Sequence, residues 1–349
     1  MLRLILSPSV GGTAGYLYDA VAALASSGGE AVLIVPEQYS FAAERIVLER
    51  LGTADAQRVE VLSFTRLANT VFNSVGWDKG KRLNEAGKIL LMSRALEQCA
   101  DKLTVYARSA DSPAVVRELL VLSEEFCQCA ISSEDIVSAM NNMEEGLLKD
   151  KLGDISLVFS VYDSFVSDGW LDDSRMLTRL KDKLAESGYF KNKTVFFDSF
   201  RGFTAQEFGI IGKILTQADD VCVALNAPDL TDVGSDDIFY HTKNTAKKLI
   251  KIANSVDVPC AKSVTVNEPN SNAALDALAK DFLSPEADVF EGECGSIAVV
   301  AAPDIRSECA FIAAQIKKML RTGEYRSRDI AVIVRDDKSY IRPMMTALA

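Results

Sequence analysis

Phosphate is readily held where a strand runs through a glycine-containing turn into a helix, because the turn's N–H groups and the helix N-terminus face the same point. The chain has that order near its start: the strand-like run Leu2 to Leu6 leads into Ser7-Pro8-Ser9-Val10-Gly11-Gly12-Thr13-Ala14, and a helical pattern follows. Laid on G-x-x-x-x-G-K-[ST], Gly12 supplies the second glycine, Ser7 stands at the first, Thr13 at the lysine and Ala14 at the metal-binding hydroxyl. The lysine normally bridges the terminal phosphates and the hydroxyl holds magnesium, so the loop lacks the main electrostatic stabilisers of phosphoryl transfer. The expectation is a degenerate nucleotide site, with ATP and magnesium at most vestigial and an anion still bindable by the backbone. By themselves the same residues also read as an ordinary strand-to-helix turn. Asp198 follows the run Lys193 to Phe197 and stands where such a fold places its magnesium-binding acid, but Ser199 comes next in place of a glutamate. No base is left there to orient an attacking water.

Other chemistry is sparse, and no catalytic or metal-ligating residue is assigned. The single histidine, His241, excludes histidine-based triads and multi-histidine metal sites. Seven cysteines, at 99, 127, 129, 222, 260, 294 and 309, are an odd number, and only Cys127 and Cys129 lie close together. On a helix those two point apart and chelate poorly, so the expectation is reduced cytosolic thiols. Asp172-Asp173 reads as a helix cap and Glu124-Glu125 as a solvated face. The start MLRLILSPSV lacks the charged region and long apolar run of a signal peptide, and no run approaches the length of a membrane span. A soluble, cytoplasmic protein with no membrane partner is expected. The net charge of -11 means that any contact with nucleic acid must be local, or shared with a partner carrying the basic surface.

These residues need elements to position them. Strand-like runs at Leu2 to Leu6, Ala31 to Val35 and Val59 to Ser63 alternate with helical patterns at Gly15 to Ser27 and Phe41 to Leu51, which predicts a parallel sheet with helices on its faces. From about Asn84 to Ser187 the periodicity is helical, as in Ala86 to Ala100, Pro113 to Ala130, Ser133 to Asn141 and Ile155 to Ser167. Strand signals return at Lys193 to Phe197 and Asp220 to Asn226, around helices at Ala205 to Thr216 and Lys243 to Ser255. A polar stretch, Asn267 to Asn272, and the Ser284-Pro285 break precede a new alternation: strand Ser296 to Ala302, helix Ile305 to Arg321, strand Asp329 to Val334, then a helix-like end. Stopping inside that alternation suggests a piece of a longer protein.

Three segments follow or overlap strand ends: VPEQYSFAAE (Val35 to Glu44), SFTRLANTVF (Ser63 to Phe72) and FFDSFRGFTAQE (Phe196 to Glu207). In that order, with the helical insertion and the late segment RSECAFIAAQIKKMLRTGEYRSRDIAVIVRD (Arg306 to Asp336), they resemble the AddB family, one of the two chains of the AddAB ATP-dependent helicase-nuclease, over essentially the whole chain. The resemblance implies an α/β fold with a RecA-like (P-loop NTPase-like) parallel sheet. Residues 1–78 and 188–285 would form the first helicase-like domain, 79–187 a helical insertion domain, and 290–349 the beginning of a second RecA-like domain. It further implies a non-motor scaffold acting in double-strand break repair and homologous recombination, one that binds single-stranded DNA and takes part in recognising the Chi sequence. An AddA-type partner would complete the heterodimer and supply the motor. The full-length chain would be an exodeoxyribonuclease whose nuclease domain, iron-sulfur cysteines and magnesium lie far downstream, outside this sequence. Family Chi-reading positions fall on Gln38, Ser40, Phe64, Arg66 and Phe203, while Asn69 stands where relatives can carry tryptophan, which removes a stacking platform and puts the preferred Chi sequence in question.

The side chains agree in kind: Gln38 can read base edges, Arg66 can bridge phosphate or guanine, and Phe64 and Phe203 can stack on bases. They equally fit a bland set, with core aromatics at Phe64 and Phe203, an ion-pair arginine and a turn-capping glutamine. Two other functions stay open on the residues alone: a nucleotide-dependent phosphotransferase with an unorthodox loop, and an acidic partner-docking module without DNA contact.

Overall fold

The computed structural model describes residues 1–9, 11–77, 80–232, 234–266, 272–282 and 287–349. The Ser284-Pro285 break, all of the polar stretch except Asn272, and the expected boundaries at 78–79 and 285 lie outside the described residues. The chain divides into two compact units, one ending at residue 268 and the other beginning at 269.

The first unit is built on a parallel sheet of β1 (Leu2–Ser7), β2 (Glu30–Ile34), β3 (Val59–Leu62), β6 (Lys193–Phe197), β7 (Asp220–Asn226) and β8 (Val264–Thr265). Their order is β3-β2-β6-β7-β1-β8, with every neighbouring pair parallel. The expected α/β class is present. The strands read as near-continuous apolar runs because helices cover both faces. One face sends Leu4, Leu6, Val32, Ile34, Val195, Phe197 and Val223 under α3 (Phe64–Val75), α8 (Met176–Ser187), α9 (Ala205–Gln217) and α10 (Tyr240–Ser255). The other sends Ile5, Leu33, Phe196 and Cys222 under α1 (Ala14–Ser26) and α2 (Ser40–Ala56). Each fully buried leucine, isoleucine or phenylalanine contributes roughly 1.5–3 kcal/mol of transfer free energy, so alternation with period two fixes which face each strand residue takes.

Between β3 and β6 the chain leaves the sheet for α4 (Glu85–Cys99), α5 (Pro113–Gln128), α6 (Ser133–Asn141) and α7 (Leu147–Ser167). These enclose a core of their own, with Met92, Leu96, Leu119, Val158 and Tyr162 at its centre. The buried Asp154 carboxylate accepts the N–H groups of Thr104, Val105 and Tyr106 at 2.7–3.1 Å, which holds the crossing between α4 and α5. A two-residue parallel pair, β4 (Lys81–Arg82) with β5 (Trp170–Leu171), closes the entry and exit of this set. The next helix, α8, returns to the sheet, burying Leu180 and Leu184 in the same core as Leu67 and Ile211.

The second unit holds α11 (Ala273–Asp281), α12 (Ile305–Thr322) and α13 (Asp337–Leu348). Asp304 caps α12 by accepting the Ser307 N–H at 2.8 Å, and the Tyr340 hydroxyl donates to Glu308 at 2.7 Å, tying α13 to α12. The strands expected at Ser296 to Ala302 and Asp329 to Val334 do not form among the described residues. A strand needs a hydrogen-bonded neighbour and a buried face. Neither segment has these, and Val299 and Ile333 are 96% and 93% exposed.

Candidate functional site

In open α/β sheets ligands collect outside the carboxyl ends of the strands. Ser7 ends β1 at that edge, and Pro36, Ser63 and Asp198 lie there too, following β2, β3 and β6. The strand order sets the ends of β3, β2 and β6 side by side, roughly 4.8 Å apart per strand, with β7 between β6 and the loop after β1.

The loop after β1 is closed on itself. Ser7 is fully buried, its Oγ lies 3.2 Å from Ser9 Oγ, and the Ser9 N–H donates to it at 3.3 Å. Gly11 takes a left-handed φ of +80°, the Gly12 N–H donates to the Ser9 carbonyl at 3.1 Å, and the Ala14 N–H donates to the Gly11 carbonyl at 3.0 Å. Three N–H groups that could cradle a phosphate therefore already have partners within the turn. A Cβ at Gly12 would overlap both serine hydroxyls, so this glycine is required by the serines packed beneath it. Thr13 is buried and makes no side-chain cap, and Ala14 opens the helix with a methyl group. Val10 lies outside the described residues.

Asp198 is 7% exposed, and its N–H donates to the Ile34 carbonyl at 3.1 Å. Burial pushes its pKa up, and the Ser199 N–H and hydroxyl and the Tyr18 hydroxyl of α1, which stand beside the carboxylate, pull the other way without cancelling the rise. Burial, and then the Asp198 charge, push the Tyr18 phenol far above its ordinary value. Arg50 of α2 holds this helix end from outside: its guanidinium lies 5.9 Å from the Tyr18 ring, donates to the Gly15 carbonyl at 3.3 Å and pairs with Asp19. The residues present do not fit a magnesium-nucleotide at this loop, since Thr13 and Ala14 supply no lysine or accessible metal-binding hydroxyl and the acid is buried beside a tyrosine.

At the neighbouring ends the predicted residues divide. Gln38 is exposed in a short 3-10 turn, Glu37–Tyr39, which Pro36 opens. Ser40 is buried, and its hydroxyl donates to the Glu37 carbonyl at 3.0 Å, so it builds that turn. Ser63 caps α3 by accepting the Arg66 N–H at 3.2 Å; this exposes Arg66, whose guanidinium reaches Glu44 at 2.6 Å. Asn69 lines a groove of about 550 Å³ between α2 and α3 with Arg66, Glu44 and Asn73. Phe64 is 6% exposed and packs edge-on against Phe200 and Phe203 at 5.8 and 6.4 Å, which makes it a support for those rings. Phe203 is half-buried, 4.8 Å from Phe200 and 5.5 Å from Phe208.

Two residues escaped the sequence reading: Tyr39 and Phe41, 52% and 77% exposed, flank the Gln38 turn. Their aromatic type was visible; their exposure was not, because the start of α2 turns away from the core only in the folded chain. All seven cysteines are free, and among the described residues no cluster of side chains could hold a metal ion and no helix is long and apolar enough to cross a membrane.

A parallel sheet of this order, with a glycine turn after its first strand and an acid at the end of β6, defines an α/β chain consistent with the RecA-like class. Residues 4–280 match the family model described as ADDB, N-terminal, and the chain belongs to that family. It is similar to the B chain of the ATP-dependent helicase/deoxyribonuclease of Caldanaerobacter subterraneus subsp. tengcongensis, 30% identical over 317 residues, 89% of this chain and 27% of that protein. The same-named protein of Clostridium novyi is 30% identical over 320 residues, 90% and 28% of the two chains. That of Clostridium acetobutylicum is 28% identical over 347 residues, 97% and 30%. The chain thus spans less than a third of the length of these relatives.

Proposed function

We propose that this chain is the DNA-handling N-terminal part of a helicase–deoxyribonuclease subunit, one that holds single-stranded DNA and does not hydrolyse ATP. The observation that carries this reading is the juxtaposition of an exposed Gln38-Tyr39-Phe41 turn, an exposed Arg66 and the half-buried Phe203 at the adjoining ends of β2, β3 and β6. Exposed rings stack on bases whatever their sequence, arginine meets phosphate or guanine, and glutamine reads base edges. The self-paired turn after β1 and the tyrosine on Asp198 favour a scaffold over a motor, so the ATP-driven step falls to an AddA-type partner. Chi recognition would then rest on Gln38, Arg66 and Phe203, with Asn69 offering an amide where relatives can offer a ring.

The test is binding of fluorescein-labelled oligo-dT to the purified chain over a salt series, with ATP turnover measured alongside. Expected are affinity that falls as salt rises, ATP turnover no faster than buffer, and a loss of about 1–3 kcal/mol of binding in Phe41→Ala at unchanged stability. Robust ATP turnover, or no salt-dependent binding, would overturn the proposal.

A further inference from the structure

A second cavity, of about 400 Å³, opens between the loop after β6 and the outer face of α10, next to Phe203 but away from the Gln38 turn. Arg201, Lys247 and Lys248 supply charge to its wall, Asn244 an amide, and Phe203 and Phe208 their rings. Among the described residues no carboxylate lines it, in a chain where 49 acidic residues outnumber 38 lysines and arginines. A wall of one sign against that average selects an anion. The cations sit ready at the rim. The Lys248 ammonium lies 5.5 Å over the Phe208 ring, and Lys247 pairs with Asp232, which is 87% solvent-exposed. An exposed pair of that kind is worth little and yields readily to a phosphate. At Gly202 the loop backbone comes so close to α10 that a Cβ would stand 3.3 Å from Thr245 Oγ1, which keeps the cavity narrow at that end.

Aromatic rings and a cationic lining, of which only Lys247 is paired with a carboxylate at the rim, match the two chemistries of a nucleotide unit, a flat base and a phosphodiester. We propose that this cavity is a backbone-phosphate subsite for single-stranded DNA, with Arg201, Lys247 and Lys248 around one or two phosphates and the attached base on the Phe203 ring. The subsite rests on the reading of the chain as a single-strand binder and extends the track from the β2 and β3 ends past β6 onto α10. Asn244 is placed to hydrogen-bond a sugar or phosphate oxygen.

The test compares Lys247→Gln/Lys248→Gln with the control Lys151→Gln/Lys191→Gln, which removes the same charge from exposed positions on α7 and at the opposite edge of the sheet. Oligo-dT affinity is measured over a salt series, with thermal melts confirming that each variant is folded. The pocket double variant should lower the magnitude of the slope of log K against log salt by about 1.4, at about 0.7 per phosphate contact on a single strand, and weaken binding about ten-fold or more at low salt. The control should leave the slope within about 0.3 of the parent, and Lys247→Arg/Lys248→Arg should restore it. Equal slopes in the pocket and control variants would overturn the subsite; if Phe41→Ala still weakened binding, the broader reading would survive. A parent chain that does not bind oligo-dT would overturn both.

Discussion

Replacing Tyr18 by phenylalanine tests the arrangement that packs α1 against the end of β6. The phenol stands beside the Asp198 carboxylate, where it can donate to the charged form, and both groups are less than a tenth exposed. A hydrogen bond to a charged acceptor contributes about 1.5–3 kcal/mol, and its loss leaves a buried carboxylate with only Ser199 as donor. At about 2–4 °C per kcal/mol for a unit of this size, the melt of Tyr18→Phe should fall by about 3–12 °C at neutral pH. The pH dependence has a definite sign. Asp198 titrates above its unfolded value, so its contribution to stability is fully present below the unfolded carboxylate pKa and is lost as pH rises through the folded one. Removing a donor to the charged form moves the folded pKa higher still. The cost of Tyr18→Phe should therefore shrink as pH falls through the folded pKa, where the carboxyl becomes protonated in both proteins. A double-mutant cycle with Asp198→Asn should return a coupling of about 1 kcal/mol or more. The reasoning fails if Tyr18→Phe melts within about 0.5 kcal/mol of the parent at neutral pH, or loses the same amount in the Asp198→Asn background.

Three further outcomes follow from the same structure. Gly12→Ala should cost about 1–3 kcal/mol through overlap with the Ser7 and Ser9 hydroxyls; Ser7→Ala/Ser9→Ala should recover most of that loss in thermal melts, and no recovery would place the strain elsewhere. Lys88→Ala strands the buried Asp172, to which its ammonium lies 3.1 Å away, and should cost about 3 kcal/mol by denaturant titration at neutral pH. Burial pushes the Asp172 carboxyl up, but the Ser174 and Lys88 hydrogen bonds outweigh it and hold the pKa below the ordinary range; the stability it adds is present above the unfolded pKa and fades as pH falls, so the parent and Lys88→Ala should converge in acid. Glu44→Gln breaks a half-exposed pair with Arg66, so stability should change by less than about 1 kcal/mol while oligo-dT binding tightens; unchanged or weaker binding would argue that Arg66 does not reach DNA.

Most of the first sheet was legible because burial on both faces writes itself as short apolar runs: LILS, AVLI, VFF and CVAL stand out against their polar flanks. Strand β8 was not, since two residues, Val264 and Thr265, carry no pattern and owe their state to pairing with Ile5 and Leu6. Ser296 to Ala302 shows the converse, an apolar run with strand propensity but no neighbour to pair with among the described residues. At the site, the residue types of the turn after β1 could be read one by one, because that pattern is local. The placing of Tyr18 beside Asp198 joins positions far apart in the chain and has no local signature, and the burial of Phe64 depends on Phe197, Phe200 and Phe203 converging from another part of the sequence.

The strand order also governs when this protein can fold as it leaves the ribosome. Among the described residues strand β1 pairs with β7 and β8, and β2 reaches the rest of the sheet through β6, so Leu2 waits for Val221 and Ile34 for Phe197. At translation rates of about 5–20 residues per second, the first three strands remain without most of their partners for on the order of ten seconds. During that interval the helices from α4 to α7, whose core needs nothing from the sheet, can condense first. Pulse proteolysis of stalled nascent chains should find that helical set protected before β1 is; protection of β1 before residue 226 has emerged would refute this order of assembly.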